Sequence, residues 1–223
     1  GVQEVKLYTI DDAPIYYTLD GSRPSTASAR YEGPLQINKS CTLKAAVIRP
    51  SGENGKVFSQ TFRINKATLK PVKLLQPTAP QYTYKGEQTL VDGLWGGKGY
   101  TDGHWLGFYG HALEAVVDLG RETPVCKAWV RVNVHVGDQI FDLRRFSVAV
   151  SDDGVNFREV QAEEYQPVEK GYKDDIYVRQ LSFEPVTARY LKFTAQPEMK
   201  ISGGWHYGEG RPAFIFVDEI GAE

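Results

Sequence analysis

The stretch Lys127–Val136, KAWVRVNVHV, alternates apolar and polar side chains. In an extended chain, Val130, Val132, Val134 and Val136 share one face, while Trp129, Arg131, Asn133 and His135 take the other. Trp129 is expected to cover one side of the sheet. The run RRFSVAV repeats this alternation, and SDDGVNF follows it with an Asp-Gly pair typical of a hairpin turn. A period of two over several runs predicts an all-β chain.

Composition agrees with strands joined by tight turns, since the chain has 13 Tyr, 22 Gly and 12 Pro but one Met. The 26 basic and 28 acidic residues nearly cancel, so neither nucleic acid nor a membrane surface is expected as a partner. No apolar run approaches the length of a membrane span. Cys41 and Cys126 are predicted to be two separate buried thiols. The start, GVQEV, shows no signal-peptide pattern, and it lies close to a predicted strand, which suggests a piece excised from a longer protein.

Turn signals divide the chain into two domains. Short alternating runs, the first of them VKLYT at residues 5–9, are separated by Asp-Gly, Gly-Pro and Ser-Gly. They predict a small Ig-like β-sandwich over residues 1–66. Residues 67–81, ATLKPVKLLQPTAPQ, carry three Pro without alternation and predict an extended linker. Residues 82–223 then form a second β domain, in which RYLKFTA and AFIFVDEI are further strands.

The stretch Gly93–His111, GLWGGKGYTDGHWLGFYGH, combines aromatic side chains with a glycine-rich backbone. A sugar presents C–H groups that stack on an aromatic ring and hydroxyls that need planar polar partners, and aromatic-plus-His loops supply both. A second such loop is SGGWHYGEGR. The candidate ligand-binding residues are Trp95, Tyr100, His104, Tyr109, Trp205 and His206. The alternative is that these rings seal a contact with a catalytic domain, or between the two domains.

The first domain resembles the small C-terminal β-sandwich that follows the catalytic barrel in bacterial chitobiases and β-hexosaminidases. The resemblance covers about 60 residues and rests on three motifs: IYYTLDGSRPS from Ile15, YEGPLQI from Tyr31 and TLKAAV from Thr42.

The second domain resembles the discoidin-type fold, also called the coagulation-factor type C or galactose-binding-like jelly roll. Five motifs in the family's order carry this resemblance: LVDG from Leu90, VVDLG from Val116, FSVAVSDDGVNF from Phe146, ARYLKF from Ala188 and VDEI from Val217. By the same resemblance, Trp105 and Phe108 are core residues rather than ligand contacts.

The discoidin resemblance also implies a Ca²⁺ site. Asp92 and Glu219 would contribute side-chain oxygens, and Thr89, Leu94 and Asp218 would contribute backbone carbonyls. Gly103 stands where the family has a threonine ligand, so one side-chain ligand is lost. The alternative is that Asp92 caps its loop while Glu219 pairs with a nearby Lys or Arg.

Catalysis has little support in the sequence. The acidic pairs Glu163-Glu164 and Asp174-Asp175 are predicted to be solvated in loop-like segments, and Asp20-Gly21 and Asp152-Asp153-Gly154 are turns. No G-x-S-x-G motif occurs. The resemblances imply a non-catalytic, carbohydrate-binding C-terminal region of a secreted or periplasmic glycoside hydrolase, with a β-N-acetylhexosaminidase as the expected parent. The alternatives are a scaffold that buttresses the catalytic domain, or the same tail on an α-fucosidase.

Overall fold

The predicted all-β class is confirmed by the computed structural model, which describes residues 1–51, 54–202 and 208–223. The chain forms two compact units. The first comprises Gly1–Ile64 with Gly93–Trp95, and the second comprises Asn65–Asp92 with Gly96–Glu223. No helix in these described ranges is long and apolar enough to cross a membrane.

The first unit is a small sandwich of antiparallel sheets. Its strands are β1 Gln3–Val5, β2 Ile15–Thr18, β3 Ala29–Arg30, β4 Leu35–Ile37, β5 Cys41–Val47 and β6 Phe58–Phe62. A four-stranded sheet has the order β3-β2-β5-β6, and β1 pairs with β4 in a second sheet. Ile37, Leu43 and Phe62 form the core between them.

The first predicted strand is shorter than its sequence pattern. VKLYT alternates over residues 5–9, yet β1 ends at Val5. Tyr8 and Ile10 are exposed because they have no partner strand, and Asp12 takes a positive φ of 50° as the chain turns back toward β2. The apolar–polar alternation of the sequence therefore extends beyond the residues that pair in the sheet.

In the described part of the second unit, seven strands surround a larger core. They are β7 Val72–Leu74, β8 Leu106–Tyr109, β9 Leu113–Val134, β10 Arg145–Ser151, β11 Arg158–Glu164, β12 Asp175–Gln196 and β13 Phe214–Ala222. The sheet order is β11-β10-β12-β9-β13-β8, and β7 also pairs with β9. Bulges at Ser182/Val186 and Ala188/Tyr190 interrupt the register between the long strands β9 and β12. Two 3₁₀ helices lie at Gly86–Val91 and Val136–Asp138.

The alternation in β9 was predicted correctly, but both of its faces are covered. Val130, Val132 and Val134 are fully buried, and Trp129 on the opposite face is only 6% exposed. The strand stops at Val134, and Val136, predicted to extend it, begins a 3₁₀ helix instead. A strand with both faces covered belongs to the interior of the unit.

The predicted linker, residues 67–81, is instead folded as part of the second unit. Val72–Leu74 pairs with Val117–Ala115 of β9, and Ala67 and Thr68 are fully buried. The pairing uses backbone groups between the prolines, so the segment needs no alternation to join the sheet.

The predicted Asp-Gly turns are confirmed. Gly154 has a φ of 73°, and the Asp153 carboxylate accepts hydrogen bonds from the backbone N–H groups of Val155 and Asn156, which lower its pKa. In the first unit, the Asp20 carboxylate accepts from the N–H of Ser22.

Both cysteines are free thiols, as predicted, but neither is fully buried. Cys41 is half-buried and Cys126 is exposed. Val125 points into the core, so Cys126, next along the strand, points to the opposite, solvent side.

Gly221 tests the packing of this core. A Cβ atom at Gly221 would overlap the Trp129 ring, so we expect Gly221→Ala to lower the free energy of unfolding by about 1–3 kcal/mol through overpacking. Urea unfolding followed by tryptophan fluorescence measures the loss. Gly137→Ala is the control, because its Cβ would meet no atom within 4 Å. Equal stability of the two variants would contradict this packing.

Candidate functional site

Four strands of the second unit have an end at the same end of its sheet. Val134, the last residue of β9, pairs with Asp175, the first of β12. Phe214, the first residue of β13, pairs with Tyr109, the last of β8. The loops attached to these strand ends are therefore gathered at one end of the unit, here called the loop end.

A buried ion pair holds the glycine-rich stretch to this sheet. Arg131 of β9 donates to the Asp218 carboxylate of β13 and, at 2.8 Å, to the carbonyl of Gly96. The N–H of Gly96 donates to the same carboxylate at 2.7 Å. The guanidinium also lies 5.2 Å from the centroid of the Trp105 ring. Two buried charges thus have partners on both sides, as buried charges require.

Close approach explains the glycine at position 96. A Cβ atom there would lie 2.6 Å from Nε1 of Trp105 and 2.9 Å from Cβ of His104. Trp105 is 2% exposed and Phe108 is fully buried, so both are core residues as predicted. Part of the aromatic content of Gly93–His111 therefore serves packing.

The remaining rings of the loop end form what we call the ring cluster. It consists of Tyr82, Tyr100, Tyr109, His135, Phe214 and Phe216. Tyr100 is central, with centroid distances of 5.1 Å to Phe216 and 5.2 Å to His135. Tyr109 lies at the margin, 4.6 Å from Phe214, with its ring tilted by 34°. Tyr109 is 40% exposed, more than a core ring would be.

Polar groups border the ring cluster. The Tyr100 hydroxyl donates to Asp138 at 3.1 Å. The pKa of Tyr100 is raised, mainly because the hydroxyl is buried and secondly because of this hydrogen bond. Nε2 of His135 lies 2.7 Å from the carbonyl oxygen of Lys98, which can only accept, so this nitrogen carries the proton. Nδ1 of His135 lies 4.0 Å from the Asp174 carboxylate. The loop end therefore presents an imidazole nitrogen and carboxylates beside aromatic rings.

The structure separates the six predicted ligand-binding residues. Tyr100 and Tyr109 belong to the ring cluster. His104 instead contacts Tyr84 at 5.3 Å and Asp102 through Nδ1 at 3.3 Å. Trp95 belongs to the first unit, where Arg63 lies 4.8 Å from its ring centroid. Trp205 and His206 lie outside the described residues.

Sequence reasoning missed Tyr82, Phe214 and the role of His135. Tyr82 directly follows the predicted linker, and His135 was assigned only to a strand face. The spacing Phe214-x-Phe216 at the start of a strand was a usable signal, because it places two rings on one face.

The residues predicted for Ca²⁺ are mostly buried. Asp92 caps the 3₁₀ helix Gly86–Val91, and its Oδ2 lies 3.9 Å from Nζ of Lys85. Glu219 and Asp218 are fully buried in β13, where Asp218 uses its carboxylate for Arg131. Leu94 belongs to the first unit and forms a β-bridge with Phe62. Within the described ranges, no three His, Cys, Asp or Glu side chains form a metal-binding group. This does not test the predicted Ca²⁺ site, which uses only two carboxylates together with backbone carbonyls.

Of the two acidic pairs predicted to lie in loops, only Asp174 does, and it is exposed. Glu163 and Glu164 end β11, and Asp175 begins β12. Glu163 and Glu164 are nevertheless exposed, since that edge strand presents them to solvent. Asp175 is paired with Lys98, whose Nζ is 2.9 Å away.

Two family models match the chain. Residues 76–209 match the F5/8 type C domain, and residues 5–62 match the family described as Fn3 associated. A search of curated proteins finds no match.

Solved structures with a similar fold are distant in sequence. Chitosan-binding module 1 of a chitosanase/glucanase from Paenibacillus sp. IK-5 is 14% identical, with a TM-score of 0.46 over 72% of this chain and 99% of that one. The lectin domain of lectinolysin, complexed with Lewis B antigen, is 17% identical, with a TM-score of 0.45 over 72% and 96%.

A GH29 fucosidase from Ruminococcus gnavus, in complex with fucose, is 16% identical with a TM-score of 0.44 over 71% of this chain. The matched region spans 26% of that fucosidase and 27% of the chain of SpGH29.

The Arg131–Asp218 pair makes a testable contribution to stability. Arg131→Met leaves the Asp218 carboxylate buried without its cation, and we expect a loss of about 3–5 kcal/mol in the free energy of unfolding. Urea denaturation measures it. Arg189→Met is the matched control, because Arg189 makes a two-point pair with Asp118 at the surface and should contribute at most about 1 kcal/mol. A loss from Arg131→Met no larger than the control's would show that the pair does not hold the loop.

Proposed function

The chain belongs to the F5/8 type C domain family, and we propose that its second unit is a non-catalytic carbohydrate-binding module. The observation that carries the proposal is the exposed ring of Tyr109, supported from beneath by Phe214 at 4.6 Å. Because the ring is already held at a fixed tilt, a pyranose can stack on it without the entropy cost of ordering the side chain.

The polar groups of the loop end would provide direction. Asp138, Asp174 and the Nδ1 atom of His135 are acceptors for sugar hydroxyls. A single aromatic contact contributes about 1 kcal/mol, by analogy with aromatic pairs. We therefore expect a weak site that binds one sugar residue. Such an affinity becomes useful when the module is tethered to an enzyme, because the second encounter is then intramolecular.

We further propose a glycoside hydrolase as the parent, secreted or periplasmic, with a β-N-acetylhexosaminidase preferred and an α-fucosidase as the alternative. The support for the hexosaminidase is the set of motifs in the first unit, IYYTLDGSRPS, YEGPLQI and TLKAAV. The catalytic domain of the same chain would then be a second partner. A unit that only buttresses that domain would not bind sugar at the loop end, so the experiment below separates the two roles.

A structural Ca²⁺ is the second part of the proposal. The 3₁₀ helix that ends at Asp92 packs against β13, which carries Glu219. In the described part of the chain, Oγ1 of Thr89 and Oδ1 of Asp218 are buried without a hydrogen-bond partner. Buried oxygens of this kind suit a hard cation. Asp92 and Glu219 would hold it, with carbonyls from Thr89 and Asp218 of the same unit.

Sugar binding is tested by titrating the protein with galactose, GlcNAc, GalNAc and fucose, followed by ¹H–¹⁵N NMR. We expect saturable shifts at the loop end with at least one sugar at millimolar concentration. Tyr109→Ala should weaken that binding about fivefold or more, since about 1 kcal/mol of stacking is lost.

Tyr84→Ala is the matched control, because Tyr84 is exposed to nearly the same extent, 42% against 40%, but lies against His104 instead of the ring cluster. No shift with any of the four sugars, or equal weakening by both substitutions, would argue against binding at Tyr109.

Calcium is tested by differential scanning calorimetry with CaCl₂ or EGTA. Ca²⁺ at a hundredfold excess over its Kd stabilises the fold by about 2.7 kcal/mol, which should raise Tm by roughly 5–10 °C. Asp92→Asn should abolish the shift, whereas Asp118→Asn, a carboxylate paired with Arg189, should retain it. An identical wild-type Tm in CaCl₂ and EGTA would remove the calcium proposal and leave the sugar proposal untouched.

A further inference from the structure

The first unit contains a hollow that the proposed sugar site of the second unit does not use. Its volume is about 330 Å³, and it lies between residues 6–9 and the sheet formed by β2, β5 and β6. Its floor is apolar and is formed by Ile15, Ala45 and Val47. A second hollow of about 220 Å³ adjoins it and shares the wall formed by Leu7, Tyr8 and Thr9.

The hollow exists because the second sheet of the sandwich covers only part of β5. Leu43, Ala45 and Val47 share one face of that strand. Leu43 is fully buried against Ile37 and Phe62. Ala45, two residues further along, pairs with Phe58, and its methyl group is too short to fill the space beside that side chain. An apolar floor is left at the open end of the core.

Aromatic rings and cations form the rim. Tyr8 is 82% exposed and Phe58 is 51% exposed, and both line the hollow. Lys6 and Lys56 line it as well. Lys6 pairs with Glu4 at 3.1 Å, whereas Lys56 forms no ion pair with any of the described residues. Positive charge thus borders an apolar surface.

The adjoining hollow continues this pattern. It is lined by Arg30 and Tyr31, and its one acidic lining residue is Asp12. Across the two hollows the cationic side chains Lys6, Lys56 and Arg30 outnumber that carboxylate. The rings and the positive charge together select for a ligand that has an apolar face and carries negative charge.

We propose that this hollow binds an anionic sugar, a pyranose carrying a carboxylate or a sulfate group. The C–H face of the ring would rest on the apolar floor between Tyr8 and Phe58, and Lys56 would receive the anionic group. The volume lies at the lower end of the range for small-ligand pockets, which fits one sugar residue with its neighbour in the adjoining hollow. Every residue of this site belongs to the first unit, so it is independent of the site at Tyr109.

The test is an NMR titration of the full chain with digalacturonate, galactose 6-sulfate and the neutral disaccharide galactobiose. We expect saturable shifts of the backbone amides of residues 6–9 and 45–47 with at least one anionic probe, and binding at least about tenfold weaker with galactobiose. Response to digalacturonate alone or to galactose 6-sulfate alone identifies the carboxylate or the sulfate as the recognised group.

Variants separate this site from the loop end. Lys56→Gln should weaken anionic binding about threefold to fivefold, as expected for an exposed charge, and Tyr8→Ala should weaken it at least as much. Lys39→Gln, an exposed lysine of the same unit, and Tyr109→Ala should leave it unchanged.

The proposal is overturned if neither anionic probe shifts these amides at tens of millimolar, if galactobiose binds as well as digalacturonate, or if Lys39→Gln weakens binding as much as Lys56→Gln. If both anionic probes fail and a partner protein binds at Tyr8 and Phe58 instead, the hollow is a protein-docking surface and the sugar proposal is wrong. None of these results bears on sugar binding at Tyr109.

Discussion

The buried ion pair between Arg131 and Asp218 fixes the glycine-rich stretch on which the loop end depends. Because Gly96 both donates to the Asp218 carboxylate and accepts from Arg131, the loop backbone is tied to two strands at once. That anchor sets the direction of the residues that follow. Trp105 is held inside, Tyr100 lies on Phe216, and the chain then enters β8, which ends at Tyr109.

A β-bulge makes this anchor possible. The register between β13 and β9 shifts between Val217 and Glu219, so Asp218 has no Cα partner across the ladder. Such a bulge re-aims a side chain that would otherwise alternate with its neighbours. Asp218 and Glu219 are both fully buried, because both faces of β13 are covered from Ile215 to Ala222. Asp218 neutralises Arg131, and Glu219 is assigned to the proposed Ca²⁺. The loop anchor and the proposed metal site therefore both lie at this β-bulge.

Local pattern predicted what local physics determines. The alternating valines of β9 and the Asp153 turn were accessible from short stretches of sequence, whereas the core positions of Trp105 and Phe108 followed from the discoidin resemblance. Tyr82, His135 and Phe214 were not accessible from short stretches, because they meet only after strands distant in sequence have paired. Val72–Leu74 was missed for a related reason: pairing with β9 uses its backbone, which leaves no side-chain pattern. The sequence placed Arg131 on the face of β9 opposite the valines but did not identify its partner, because Asp218 lies on a distant strand.

The two proposed sugar sites differ in what they can discriminate. At the loop end, the proposed hydroxyl acceptors include the Asp138 and Asp174 carboxylates, and Lys98 is already paired with Asp175, so these groups would favour a neutral sugar over an anionic one. In the first unit, Lys56 and Arg30 favour that same anion and gain little from a neutral ring. The two proposed sites therefore differ in the charge of the sugar that each would select, and neither takes any of its binding groups from the other unit.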